Sequence, residues 1–66
     1  MYVTINGQQE ALANGLSVAD ILATRQLQPI RVAVEINEQI VPRKRFDQTT
    51  VKAGDRIEIV TFVGGG

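Results

Sequence analysis

A single stretch of helical periodicity, set between segments that alternate with period two, constrains this 66-residue chain more than any other feature. Val18, Ile21 and Leu22 fall on one helical face, with Arg25 on the same stripe. Before that stretch, Val3 and Ile5 share one side of a strand. After it, Val32, Val34 and Ile36, and then Ile57 and Ile59, do the same. A chain of this size buries only about 60% of its unfolded surface, and it has no cysteine to add a disulfide. The economical solution is an α+β layer, one mixed sheet of four to five strands covered by one main helix.

The punctuation between these segments agrees with that reading. Asn6-Gly7 follows Tyr2–Ile5, and Asn-Gly is the pair that best tolerates the positive φ of a tight hairpin turn, here leading into a return strand from Gln8 to Leu12. Asn14-Gly15 closes the hairpin. Ser17 caps the helix, with Asp20 three positions on as a variant of the capping box, and Leu16 stands at staple spacing from Ile21. Pro29 biases Gln28 away from helix, so the helix is expected to end near Leu27. Arg31–Ile36 reads as the next strand. Asn37-Glu38 turns it into Gln39-Ile40-Val41, which Pro42 ends. Arg43 to Thr50 is a polar crossing anchored by Phe46, Ala53-Gly54-Asp55 a turn, and Arg56–Val63 the last strand. The first and last long strands are expected to lie parallel at the centre of the sheet.

Composition removes several classes of function. Histidine is absent, and with it the commonest general base and metal ligand. Seven basic and seven acidic residues cancel, giving no electrostatic footprint for nucleic acid or an anionic membrane. No charged leader precedes an apolar stretch, and nothing approaches the roughly 20 apolar residues of a membrane span. The expectation is a cytoplasmic domain, residues 1–63, followed by a flexible tail, residues 64–66, with no bound metal or cofactor.

In the last strand, alternation places Ile57, Ile59, Thr61 and Val63 inward and leaves Val60 and Phe62 outward, just before Gly64-Gly65-Gly66. A bulge, or burial on both faces, would return Phe62 to the core. Otherwise Val60 and Phe62 form an exposed apolar patch for a partner. Read as a terminus, the glycines are a side-chain-free tether presenting the carboxylate of Gly66; a frayed tail or cloning remnant is equally compatible with the glycines alone. Ordering three residues costs about 3–6 kcal/mol, and burying two large apolar side chains returns roughly 3–6 kcal/mol. Val60 and Phe62 therefore suffice to anchor the tether, whose three glycines reach about 10 Å when extended.

A carboxylate is an anion at neutral pH and a poor electrophile, so it reacts only after conversion to an activated acyl group. The chain has no P-loop and no Cys or His with which to do this. If the tail is functional, the protein is a substrate and carrier rather than an enzyme, and a partner that uses ATP performs the chemistry.

Over essentially its whole length the chain resembles the ThiS family, the sulfur carriers of thiamine biosynthesis. The likeness rests on Tyr2-Val3-Thr4-Ile5-Asn6-Gly7, Ser17-Val18-Ala19-Asp20-Ile21-Leu22, Val32-Ala33-Val34-Glu35-Ile36-Asn37 with Ile40-Val41-Pro42-Arg43, Val51, Gly54-Asp55 and the final Gly65-Gly66. This resemblance implies a ubiquitin-like β-grasp fold. It further implies that an E1-like adenylyltransferase adenylates Gly66, that a sulfur donor protein converts it to a thiocarboxylate, and that thiazole synthase takes the sulfur. Gly64 is additional to the two glycines the family needs. The small subunit of molybdopterin synthase and ubiquitin-like protein modifiers share the Gly-Gly end. A small RNA-binding module, suggested by Arg43-Lys44-Arg45, is the alternative from another class, although no aromatic platform accompanies the triplet.

Overall fold

The computed structural model describes residues 1–62; Val63, Gly64, Gly65 and Gly66, and with them the expectations of an inward Val63 and of a tail at 64–66, lie outside the described residues. Six elements follow one another: β1 (Tyr2–Ile5), β2 (Gln8–Ala11), α1 (Val18–Thr24), β3 (Val32–Ile36), β4 (Gln39–Ile40) and β5 (Arg56–Thr61). The strands form one sheet in the order β2-β1-β5-β3-β4. β5 is central, parallel to β1 with Ile5 beside Ile57, and antiparallel to β3 with Ile36 opposite Ile57 and Val32 opposite Thr61. The two hairpins flank it. This is the mixed five-stranded sheet with one helix of the ubiquitin-like β-grasp, with the first and last strands side by side as expected.

Both hairpin tips use left-handed backbone. Asn6 and Gly7 have φ of 51° and 84°, and Asn37 and Glu38 have φ of 52° and 70°. Two consecutive positive φ values match the right-handed twist of the flanking strands. Because each turn has two residues, the register is fixed: Ile5 faces Gln8, and Ile36 faces Gln39.

The helix start follows the sequence closely. The Ser17 hydroxyl accepts from the Asp20 backbone N–H at 3.1 Å, and an Asp20 carboxylate oxygen accepts from the Ser17 N–H at 3.0 Å, satisfying two of the donors a helix leaves unpaired. Leu16 packs against the core as the staple spacing requires. The helix end does not follow the expectation. It stops at Thr24, with Arg25 as C-cap and Gln26 at φ 59°. The Leu27 N–H reaches the Leu22 carbonyl at 2.9 Å and the Gln26 N–H the Ala23 carbonyl at 3.0 Å, the paired bonds of a Schellman stop. Pro29 instead opens a short 3-10 turn, Pro29–Arg31, so β3 starts at Val32 rather than Arg31.

Among the described residues, eleven side chains make the core: Val3, Ile5, Val18, Ile21, Leu22, Val32, Val34, Phe46, Val51, Ile57 and Ile59. The crossing after β4 contributes Phe46, which is 3% exposed, and its carbonyl accepts from the Ala19 N–H at 2.9 Å. Sheet, helix and crossing thus close over one another. Arg25 stands outside this core, paired with Glu10 of β2. Phe46→Ala should cost about 3–5 kcal/mol, a large share of the 5–15 kcal/mol typical of a domain. Urea unfolding measures it, and a loss below about 1 kcal/mol would contradict the burial of this ring.

Candidate functional site

β5 carries the candidate site because its outward side chains lead directly into the last residues of the chain. Ile57 and Ile59 are buried, while Val60 is 56% and Phe62 49% exposed. The β3–β5 register runs without a break from Ile57 to Thr61, and the Phe62 N–H continues it by donating to the Arg31 carbonyl at 2.8 Å. No bulge turns Phe62 inward. Thr61 lies opposite the core residue Val32, which keeps it on the inner face as expected, yet it is exposed, and the last core residue on β5 is Ile59.

The patch is larger than the sequence reading gave it. Glu35 lies opposite both Glu58 and Ile40, and paired residues share a sheet face, so Ile40 stands on the same outer face as Val60. It is 75% exposed. A groove of about 200 Å³ is lined in part by Ala33, Ile40, Pro42, Arg43 and Phe62. The missed member was legible in principle, because a two-residue turn at Asn37-Glu38 requires Ile40 to oppose Glu35.

A second missed residue is Asn6. β1 ends at Ile5, and after Asp55 and Ile57, whose carbonyls accept from Thr4 and Asn6, the next residue of β5 whose backbone groups face β1 is Ile59. The Asn6 side chain takes the place of the absent strand: its Oδ1 accepts from the Ile59 N–H at 2.8 Å and its Nδ2 donates to the Ile59 carbonyl at 3.2 Å. At the other end of β5, Asn37 Oδ1 accepts from the Arg56 N–H at 2.9 Å, and its Nδ2 donates to Asp55 at 3.0 Å. The asparagines at the two hairpin tips thus brace the central strand, Asn37 at its start and Asn6 at Ile59. Turn propensity explains their positive φ but gives no sign of these distant partners.

What the site presents is an apolar surface beside a strand end. Among the described residues, no group of three or more His, Cys, Asp or Glu side chains is placed to hold a metal ion, and no helix is long and apolar enough to cross a membrane. The expected site at Gly66, with Gly64 and Gly65, lies outside the described residues.

Comparison with known proteins decides the family. The model of the ThiS family matches residues 3–66. The chain belongs to the ThiS family. The Escherichia coli sulfur carrier protein ThiS is 33% identical over 66 residues, which cover all of both chains. The crystal structure of the thiamine biosynthesis protein ThiS from Geobacter metallireducens superposes with a TM-score of 0.84 at 39% identity, again over the whole of both chains. A thiazole synthase from Paramagnetospirillum magneticum is 38% identical to the full length of this chain, which spans only 20% of that protein. Membership places the chain among the small ubiquitin-like sulfur carriers of thiamine biosynthesis.

Two outcomes follow from this geometry. Asn6→Gly keeps a residue suited to the turn but removes both bonds to Ile59, and should cost about 1–2 kcal/mol, the penalty for leaving a partly buried backbone pair unsatisfied. Phe62→Ala should change stability by about 1 kcal/mol or less. Chemical denaturation of both variants reads the difference, and a larger loss for Phe62→Ala than for Asn6→Gly would contradict the assignment of Phe62 to the surface.

Proposed function

We propose that this chain carries sulfur as a thiocarboxylate on Gly66 and delivers it for thiazole formation in thiamine biosynthesis. The exposed Val60 and Phe62, on the strand that leads to Gly66, are the observation that carries this reading. A terminal carboxylate has no intrinsic electrophilicity at neutral pH, and the chain lacks Cys, His and a P-loop. Activation therefore belongs to an E1-like adenylyltransferase that uses ATP. A Gly66 carboxylate oxygen attacks the α-phosphorus of ATP and pyrophosphate leaves. A persulfide sulfur from a donor protein then displaces AMP from the acyl carbon. Reduction of the resulting acyl disulfide by a thiol releases the thiocarboxylate.

Thiazole synthase is the proposed acceptor. Support comes from the Paramagnetospirillum magneticum thiazole synthase, which includes a segment similar to this entire chain; fusion of a carrier to its consumer raises the effective concentration of one for the other. Val60, Phe62 and the neighbouring Ile40 form the docking surface, and Gly64 and Gly65 pass through a channel too narrow for side chains. The protein acts as a co-substrate, binding no cofactor of its own, in the cytoplasm and with neither nucleic acid nor membrane as partner.

Intact-mass measurement after incubation with an adenylyltransferase, ATP and a sulfur donor should show one oxygen-to-sulfur exchange. Conjugation to a lysine would instead identify a protein modifier, and sulfur delivery only to a molybdopterin precursor would move the chain to that pathway. Deleting Gly65 and Gly66 should abolish the exchange while leaving the melting temperature within about 2 °C, because two glycines have no side chain to bury.

A further inference from the structure

The net charge of zero conceals a separation of charge along the sheet face. Glu35 and Glu58 oppose each other across β3 and β5. Next along β5 comes Val60, level with Ala33, and then Phe62. Beyond Phe62 the surface turns basic. Phe62 is bonded to the Arg31 backbone, which sets Arg31 abreast of it. Arg43 Nε donates to the Pro29 carbonyl at 3.0 Å, holding that side chain against the same turn, and Arg31 Nε donates to Gln28 Oε1 at 3.3 Å. Arg43, Lys44 and Arg45 form their own 3-10 turn, with Arg43 lining the groove it shares with Phe62. Asp47 is the exposed acidic residue next in sequence. The two ion pairs among the described residues, Arg25–Glu10 and Arg56–Glu38, use none of Arg31, Arg43, Lys44 and Arg45.

We infer that Arg31, Arg43, Lys44 and Arg45 form a basic rim that recognises carboxylates on the adenylyltransferase surface beside the opening that receives residues 63–66. This rests on the sulfur-carrier reading for the identity of the partner. The rim itself rests on charge and position. The chain continues from Phe62 into four residues, which extended span at most about 14 Å. A protein that holds Gly66 at its reactive centre must therefore bring its surface up to the rim. Once the surfaces meet, rim charges and facing carboxylates stand closer than the Debye length of about 8 Å at physiological salt, so their attraction survives screening. Carboxylates opposite the rim steer the encounter and set the approach of the tail, while Val60, Phe62 and Ile40 supply the apolar contact. The acidic pair on the far side of Val60 repels a partner docked the wrong way round.

The test is calorimetric binding of the full chain to the purified adenylyltransferase of the same organism without ATP, at low and moderate salt. Lys44→Glu with Arg45→Glu should weaken binding at least about tenfold and flatten its salt dependence. Arg43→Lys, which keeps the charge, should bind within about twofold of the parent, and Lys52→Glu, at the opposite end of β5, should do the same. Melting curves of each variant check folding. Equal loss for Lys52→Glu and the double variant, salt-independent binding of the parent chain, or no binding at all would overturn the rim. So would generic RNA, titrated by fluorescence anisotropy, binding the same rim more tightly than the enzyme does. Binding with the predicted charge pattern but without oxygen-to-sulfur exchange would instead refute the sulfur-carrier reading and leave the rim standing.

Discussion

Parallel pairing of β1 with β5 is the constraint on which the molecule depends. It joins the two ends of the sequence through Thr4–Arg56 and Ile5–Ile57, and a parallel pair needs a long crossover between its strands. Everything from Gly7 to Asp55 serves as that crossover. The helix and the Phe46 crossing cover one face of the sheet on the way, while the second hairpin adds β3 and β4 to the sheet beside β5. Among the described residues, the other face leaves Ile40, Val60 and Phe62 exposed. Because β5 is central, the residues that leave it emerge from the most firmly held part of the sheet rather than from an edge.

This arrangement suits the proposed role of the domain as a handle for Gly66. β5 is bonded on one side by β3 up to Phe62, and on the other by β1 as far as Ile57 and then by the Asn6 side chain at Ile59. Val60 and Phe62 stand exposed on the outer face, available for recognition, while their backbone direction is already set by the pairing with β3. Preorganisation of this kind lowers the ordering cost a partner must meet on binding.

Much of the fold was legible because local and long-range preferences agree. Asn6-Gly7 specifies its hairpin, Ser17 and Asp20 make the capping box, and period two places Ile57 and Ile59 inside with Val60 and Phe62 outside. Two features were harder to read, for different reasons. The helix ends at a Schellman stop built on Gln26, a residue with no special taste for left-handed backbone, so Pro29 looked like the stronger signal. The bonds from Asn6 to Ile59 and from Asn37 to Arg56 join residues far apart in sequence, and only the assembled sheet brings them together. The same holds for the basic rim, where Arg31 joins Arg43–Arg45 through the turn at Pro29.

The central proposal is chemical: that the acyl carbon of Gly66 is where sulfur is loaded, and that the folded body delivers it. The most direct measurement compares the chain having a free C-terminal carboxylate with the same chain amidated at Gly66, each supplied to a thiazole-forming extract depleted of its own carrier. The account predicts thiazole formation with the free carboxylate and none with the amide, although both fold alike. Equal thiazole yield from the amidated chain would contradict it.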